Sequence, residues 1–116
     1  GVNLVHLLRR SGGELVPDEE LLECMAGAGF RWLHLPFESG SQRLLDSYSS
    51  SKWTIAATPV DALLRACERL GIQVAGNYII GHPDETVDEI YATVRMAKHH
   101  VEMGLNHAAI FSFVPA

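Results

Sequence analysis

Cysteine is scarce in this chain: Cys24 and Cys67 are the only two among 116 residues. A disulfide framework needs more cysteines in a shorter chain, and a zinc or iron–sulfur site needs three or four ligands at close spacing. Both thiols fall among helix-forming residues and read as small buried apolar groups in a reducing compartment, so the expected location is cytoplasmic. Basic clusters are missing too. Nine Lys and Arg stand against fourteen Asp and Glu, a formal net charge of −5, which gives no support for nucleic-acid binding through a basic face. No apolar run approaches the roughly 20 residues of a membrane span, so no membrane partner is expected. The start lacks the basic and apolar regions of a signal peptide. It also lacks an initiator methionine: the chain opens at Gly1 and ends just after an apolar run. Domains seldom stop on a buried strand, so a piece of a longer protein is expected.

What is present is the composition of one globular domain, 47% hydrophobic and 20% charged. Residues 3–8 are short, apolar and suited to a strand, which Ser11-Gly12-Gly13 breaks. Pro17-Asp18-Glu19-Glu20 opens a helix with acids in its first turn, where the helix dipole favours them. Leu21, Leu22, Met25 and Ala28 continue it at helical spacing until Gly29. Residues 31–37 predict a second strand and residues 41–48 a short helix with Leu44 and Leu45 inward. The Ser-rich stretch 47–53 reads as a loop. Thr58 caps, and Pro59 starts, a helix over residues 59–70. Residues 73–80 predict a third strand. Thr86 caps a further helix carrying Ile90, Val94, Ala97 and Val101 on one face, and residues 107–114 predict a fourth strand.

The order β-α-β-α-α-β-α-β implies right-handed crossovers and a parallel sheet, with strands apolar on both faces. Two closures fit: an open doubly wound sheet, or part of a (βα)₈ barrel. A partial barrel would leave two strand edges and one apolar sheet face uncovered, so the piece should self-associate or need its missing half.

In parallel α/β folds ligands lie at the carboxyl ends of strands, in the loops that lead to helices. Two such junctions carry the useful chemistry. At Glu38-Ser39-Gly40-Ser41, glycine allows a tight turn, the serines offer hydroxyls, and Glu38 offers a carboxylate suited to a ribose diol. The following helix start would aim free N–H groups at an anion. The plain alternative is a serine helix cap beside an exposed glutamate. At the second junction, Gly76 and Gly81 bracket Asn77-Tyr78-Ile79-Ile80, and His82-Pro83-Asp84-Glu85-Thr86 follows. A glycine near a strand end marks close approach of a ligand or another backbone. The alternative is a well-made turn that needs Gly and Pro for its own geometry.

Taken together the segments resemble the radical S-adenosylmethionine (radical SAM) superfamily. The likeness runs through Leu35-Pro36-Phe37-Glu38-Ser39-Gly40-Ser41-Gln42-Arg43-Leu44-Leu45-Asp46, Lys52-Trp53-Thr54, and Gly71-Ile72-Gln73-Val74-Ala75-Gly76 onward to Thr86. The nearest branches are those with a Glu-Ser-Gly-Ser signature, as in cobalamin-domain and methylthiotransferase-like members. The resemblance implies an α/β fold whose parallel (βα) units supply about four strands of a partial TIM-type (βα)₆ barrel. It implies one fragment of the core domain, spanning residues 1–116 and lacking the cluster-binding portion. S-adenosylmethionine and a [4Fe-4S] cluster would be the cofactors, and the parent protein would generate a 5′-deoxyadenosyl radical. By the same resemblance, Glu38, Ser39 and Ser41 lie near the ribose and methionine part of the nucleotide, and Lys52 near the methionine carboxylate. Asn77 to Gly81 would line the adenine side, with Ile79 as an apolar contact, and Glu85 would hold the turn.

Two residues depart from the family pattern. Asp84 stands where glycine is usual, and His82 where a bulky apolar residue is usual. His82 reads as a loop residue, with a proton shuttle as the alternative. The larger departure is that no cysteine triad is present, so the cluster loop is expected elsewhere in the parent and the piece alone should be inactive. Gly12-Gly13-Glu14 looks like the family's methionine-gripping element but is one strand out of place, and reads as a loop. His6, His34 and His107 show no metal-ligand spacing, and His99-His100 close a helix. Two rival functions stay open: a non-catalytic nucleotide- or phosphate-binding α/β module, and a structural domain whose turns are only turns. The sequence does not indicate the substrate.

Overall fold

A computed structural model describes residues 3–49 and 53–112, and leucine spacing decides how it begins. Leu4 and Leu7 are both buried on one side of a 3₁₀ turn, Leu4–Leu7, because side chains three apart eclipse in that geometry. This corrects the strand expected over residues 3–8. A hairpin follows instead, β1 (Leu8–Ser11) paired antiparallel with β2 (Glu14–Pro17). Gly12 and Gly13, at φ 60° and 85°, supply the two positive angles that a tight hairpin turn needs.

Helix α1 (Glu19–Gly27) is capped by Asp18, whose side chain accepts from the Leu21 N–H at 3.1 Å. Leu22 enters the core, whereas Leu21 and Cys24 face outward. Cys24 is therefore not the buried group expected. Only Cys67 is buried, and burial pushes its thiol up to about 11.

Three parallel strands form the sheet in the order β3-β4-β5, with β3 at Trp32–Glu38, β4 at Gln73–Ile80 and β5 at His107–Ser112. Helices α2 (Gln42–Tyr48) and α3 (Val60–Arg69) connect β3 to β4, and α4 (Val87–Glu102) connects β4 to β5. Four parallel strands were expected. Among the described residues there are three, because the first position is taken by the hairpin, whose short antiparallel strands pair only with each other. Residues 113 and 114 of the expected last strand lie outside the described residues.

One sheet face is the core. Leu33, Leu35, Phe37, Val74 and Tyr78 pack with Leu63, Leu64 and Cys67 of α3. The other face carries Trp32, His34, Asn77, Ile79, Ala109 and Phe111 at alternating positions, and there Trp32 is 50% and Phe111 55% exposed. Phe37 centres the core: its ring stacks on Tyr78 at 5.6 Å between centroids and meets Trp53 edge-on at 5.9 Å. Trp53 Nε1 also donates to the Phe37 carbonyl at 2.9 Å. Gly76 makes this stack possible, since a Cβ there would sit 2.8 Å from two Phe37 ring carbons. The close approach at Gly76 is thus to an aromatic side chain.

Two helices differ from expectation in detail. Pro59 occupies the cap position of α3 and no side chain caps it, although Thr58 was the expected cap. On α4 the buried residues are Thr93, Ala97 and His100, while Val94 and Val101 are exposed. The inward positions go to polar residues that have buried partners. Thr93 bonds to the first junction (below), and His100 Nδ1 lies 2.7 Å from the Tyr78 hydroxyl.

Burial holds the His100 imidazole below its ordinary value, at about 4 against 6.5. The fold therefore binds the neutral ring, and an unfolded chain takes up a proton first as pH falls. Stability should be full above pH 6.5 and decline between there and pH 4, by about 3 kcal/mol from this residue. Denaturant unfolding at pH 7 and pH 4.5 checks this: His100→Gln should lose distinctly less stability over that interval than the wild type.

Candidate functional site

Glu38 ends β3 in an unusual backbone state. It is the only non-glycine residue with positive φ (69°) among the described residues, and it sits at a register shift between β3 and β4. The Ser39 N–H donates to the Phe37 carbonyl at 2.8 Å, closing a three-residue turn about Glu38. Such a turn is strained for a residue with a Cβ, at about 1–3 kcal/mol. It turns the Glu38 carboxylate off the strand, where it accepts from the Ser49 hydroxyl.

Ser39 is buried. Its Oγ accepts from the Ser41 N–H at 3.0 Å and lies 3.4 Å from Thr93 Oγ1. Thr93 Oγ1 also accepts from the Gly40 N–H at 2.9 Å and donates to the Glu89 carbonyl at 3.2 Å. Its only proton is thereby used, so Ser39 donates to Thr93. Gly40 lies directly on α4: a Cβ there would fall 2.5 Å from the Ala92 carbonyl oxygen and 2.8 Å from the Thr93 nitrogen. Glycine is needed here for helix contact. Ser41 caps α2, with its Oγ 3.4 Å from the Leu44 nitrogen, and donates to Glu89 Oε2 at 2.7 Å.

Arg43 joins this junction to the second one. Its Nε and Nη2 reach the two Glu89 oxygens at 2.9 and 2.7 Å, and its Nη1 reaches Asp84 Oδ2 at 2.9 Å. The Tyr48 hydroxyl donates to Asp84 Oδ1 at 2.7 Å. Bonding to Arg43 holds the Glu89 carboxyl well below the usual carboxylate range, and bonding to Tyr48 and then Arg43 lowers Asp84. The same contacts raise Arg43 and Tyr48. Thr86 and Glu89 form a reciprocal cap at the start of α4. Glu85 holds the turn before it, its Oε1 accepting from the Gly81 and His82 N–H groups at 2.6 and 3.0 Å. Gly81 stands at φ 88° in that turn.

The two junctions enclose a cleft of about 200 Å³ at the carboxyl ends of β3 and β4. Glu38, Ser39 and Ile79 line it, as do Tyr48, Ser49 and His82. Of the sequence-derived site residues, these first three are brought together. Ser41 is engaged with Glu89 instead, Asn77 lies lower on the sheet face beside Pro36 and Ala109, and Gly81 shapes the turn. Lys52 lies outside the described residues. Tyr48 and Arg43 were missed as site residues, because nothing local in the sequence pairs them with a loop so far along the chain. Among the described residues no group of three His, Cys, Asp or Glu could hold a metal ion. No helix is long and apolar enough to cross a membrane.

Parallel strands and crossover helices define an α/β fold with a cleft at the strand ends. The chain is 35% identical over 83 residues to a tRNA-2-methylthio-N(6)-dimethylallyladenosine synthase of a Shewanella species (strain W3-18-1), covering 72% of this chain and 16% of that enzyme. It is 32% identical over 84 residues to the enzyme of that name from Escherichia coli O1:K1 / APEC, covering 72% and 17%. The chain thus spans about a sixth of the length of the curated relatives it matches. No protein-family model matches it. In fold it is similar to a radical S-adenosylmethionine methyltransferase, TsrM from Kitasatospora setae, solved with cobalamin and a [4Fe-4S] cluster bound. The TM-score is 0.62 at 22% identity, over 80% of this chain and 18% of that one. The relatives in sequence support the radical SAM relationship implied by the motifs, and the solved structure shows a likeness of fold.

The contact at residue 40 gives a direct test of how the junctions are held. Gly40→Ala should destabilise the fold by about 1–3 kcal/mol through overpacking against α4, read as a lowered midpoint of chemical unfolding.

Proposed function

We propose that this chain is the part of a radical SAM enzyme that holds the nucleoside portion of S-adenosylmethionine. The observation that supports it is the convergence of Glu38, Ser39 and Ile79, drawn from both junctions, on one cleft at the strand ends. The residues suit the ligand: Glu38 offers a carboxylate to a ribose diol, Ser39 a polar wall and Ile79 an apolar face for a base. The backbone strain at Glu38 aims its carboxylate, in keeping with strain clustering at functional sites.

The described residues do not fit the iron–sulfur cluster. Cys24 and Cys67 sit on different helices, one exposed and one buried. The cluster ligands would come from another part of the parent protein, and the piece alone would not turn over. The residues here would bind and orient the nucleoside portion of S-adenosylmethionine. A reducing, cytoplasmic setting suits two unpaired thiols. A parent coding sequence with no cysteine triad overturns this reading.

Within the parent protein with its cluster reconstituted, Glu38→Gln should weaken S-adenosylmethionine binding about tenfold or more, the worth of a charge-assisted hydrogen bond. Isothermal titration checks this, and unchanged affinity with the fold retained counts against the ribose assignment.

The chain by itself should also self-associate. Among the described residues strand β5 is a sheet edge, and Ile110 and Phe111 on it and Val87, Tyr91, Val94 and Val101 on α4 are exposed. Sedimentation velocity should show a concentration-dependent rise in mass. A monomer throughout the micromolar range would contradict it.

A further inference from the structure

A second hollow lies between the start of α3 and the last turns of α4. It encloses about 550 Å³, more than the cleft at the strand ends, and shares no lining residue with it. Trp53, Ile55, Val60 and Met96 give it apolar walls. Trp53 and Val60 are buried, so these two walls are part of the core.

Its polar groups are few. His100 lines the hollow although the residue is only 4% exposed. Its Nδ1 lies 2.7 Å from the hydroxyl of Tyr78, which is fully buried. Among the described residues this is the one hydrogen bond of that hydroxyl, so its proton has no other acceptor. A buried hydroxyl proton is costly to leave unbonded. The hydroxyl therefore donates to Nδ1, and the proton of the neutral imidazole sits on Nε2. No described residue accepts from Nε2. Nor is Nε2 one of the sealed, unbonded side-chain atoms of the interior, so it is open to the hollow that its ring lines. A donor on a side chain more than nine-tenths buried is thus left facing empty space.

Asp61, in the first turn of α3, adds a carboxylate to the same hollow. Its oxygens lie 3.1 and 2.9 Å from His99 Nε2, and each retains a lone pair for a further donor. Burial lowers the proton affinity of His100 and the Asp61 charge opposes this, so carboxylate and ring are within electrostatic reach of each other.

We propose that this hollow is a second ligand site, for a flat, uncharged molecule with a carboxamide-type head. The carbonyl oxygen of the head accepts from His100 Nε2, its N–H donates to Asp61, and the apolar body lies against Trp53, Val60 and Met96. Other heads suit the lining less well. A carboxylate meets the Asp61 charge, and a purely apolar molecule covers the His100 donor without bonding it. The volume, the apolar walls and the few convergent polar groups are those of small-molecule pockets. The site does not rest on the nucleoside reading above.

Titration of the parent protein with benzamide, benzoate and toluene, followed on the ligand proton NMR signals, tests this. Benzamide should bind with a Kd of about 1 mM or lower, as a small fragment can. Benzoate and toluene should each bind about tenfold more weakly, one repelled and one lacking polar partners. Asp61→Asn should bring benzoate to within about threefold of benzamide. Ala62 is exposed at the rim of the hollow. Ala62→Phe should therefore block benzamide while leaving the circular dichroism spectrum unchanged. His100→Phe keeps a ring, removes the donor and should lower benzamide to the affinity of toluene. If that variant does not fold, Ala62→Phe and the comparison of ligands decide. Absence of benzamide binding to the wild type at about 10 mM overturns the site. Binding that survives Ala62→Phe unchanged lies elsewhere and overturns it too. Equal affinities for all three ligands overturn the roles given to His100 and Asp61.

Discussion

The arrangement of the cleft depends on how closely residue 40 approaches α4. Gly40 places its backbone where any Cβ would strike the Ala92 carbonyl, and its N–H is received by the buried Thr93 hydroxyl. This contact ties the end of β3 to a helix that begins after β4. It is more consequential than the exposed ion pairs around it. Surface pairs contribute roughly 0–1 kcal/mol each, whereas a close-packed backbone contact with buried hydrogen bonds tolerates little displacement. With residue 40 fixed, Glu38 on one side and Ser41 on the other have little freedom.

Arg43 then sets direction rather than stability. Its planar fork engages both Glu89 oxygens and leaves one nitrogen for Asp84. A lysine could neutralise the same charges but could not hold both partners in one plane. The geometry passes from α4 through Glu89 and Arg43 to Asp84, and from Asp84 to the Tyr48 hydroxyl. Asp84, a departure from the resembled family's usual glycine, is thereby accounted for as an acceptor for two side chains. His82, the second departure, is accounted for by its stack on Tyr48.

Local patterns made much of the fold legible. Strands at Gln73–Ile80 and Trp32–Glu38, helix α2 capped by Ser41 and helix α4 capped by Thr86 follow from apolar runs and cap residues. These signals act within a few residues, and the chain states them directly. The first element was misread because Leu4 and Leu7 fit a strand or a 3₁₀ turn equally well over so short a span. The burial face of α4 was misread for a different reason. Val94 and Val101 are the more apolar choices, but Thr93 and His100 have buried partners waiting at Gly40 and Tyr78. Hydropathy alone carries no information about such partners.

The sequence by itself determined the class: parallel α/β units, two chemically rich junctions, and motifs in an order that points to one superfamily. It determined these because cap residues, strand runs and motif order are local or ordinal properties of a chain. Only the tertiary structure decided which junction residues face the cleft. Ser41 and Gly40 carry the same motif as Glu38 and Ser39, yet the first is taken by Glu89 and the second by the backbone of α4. Tyr48 and His82 carry no motif together, yet they stack. Those assignments rest on contacts between residues far apart in sequence, and packing geometry sets them.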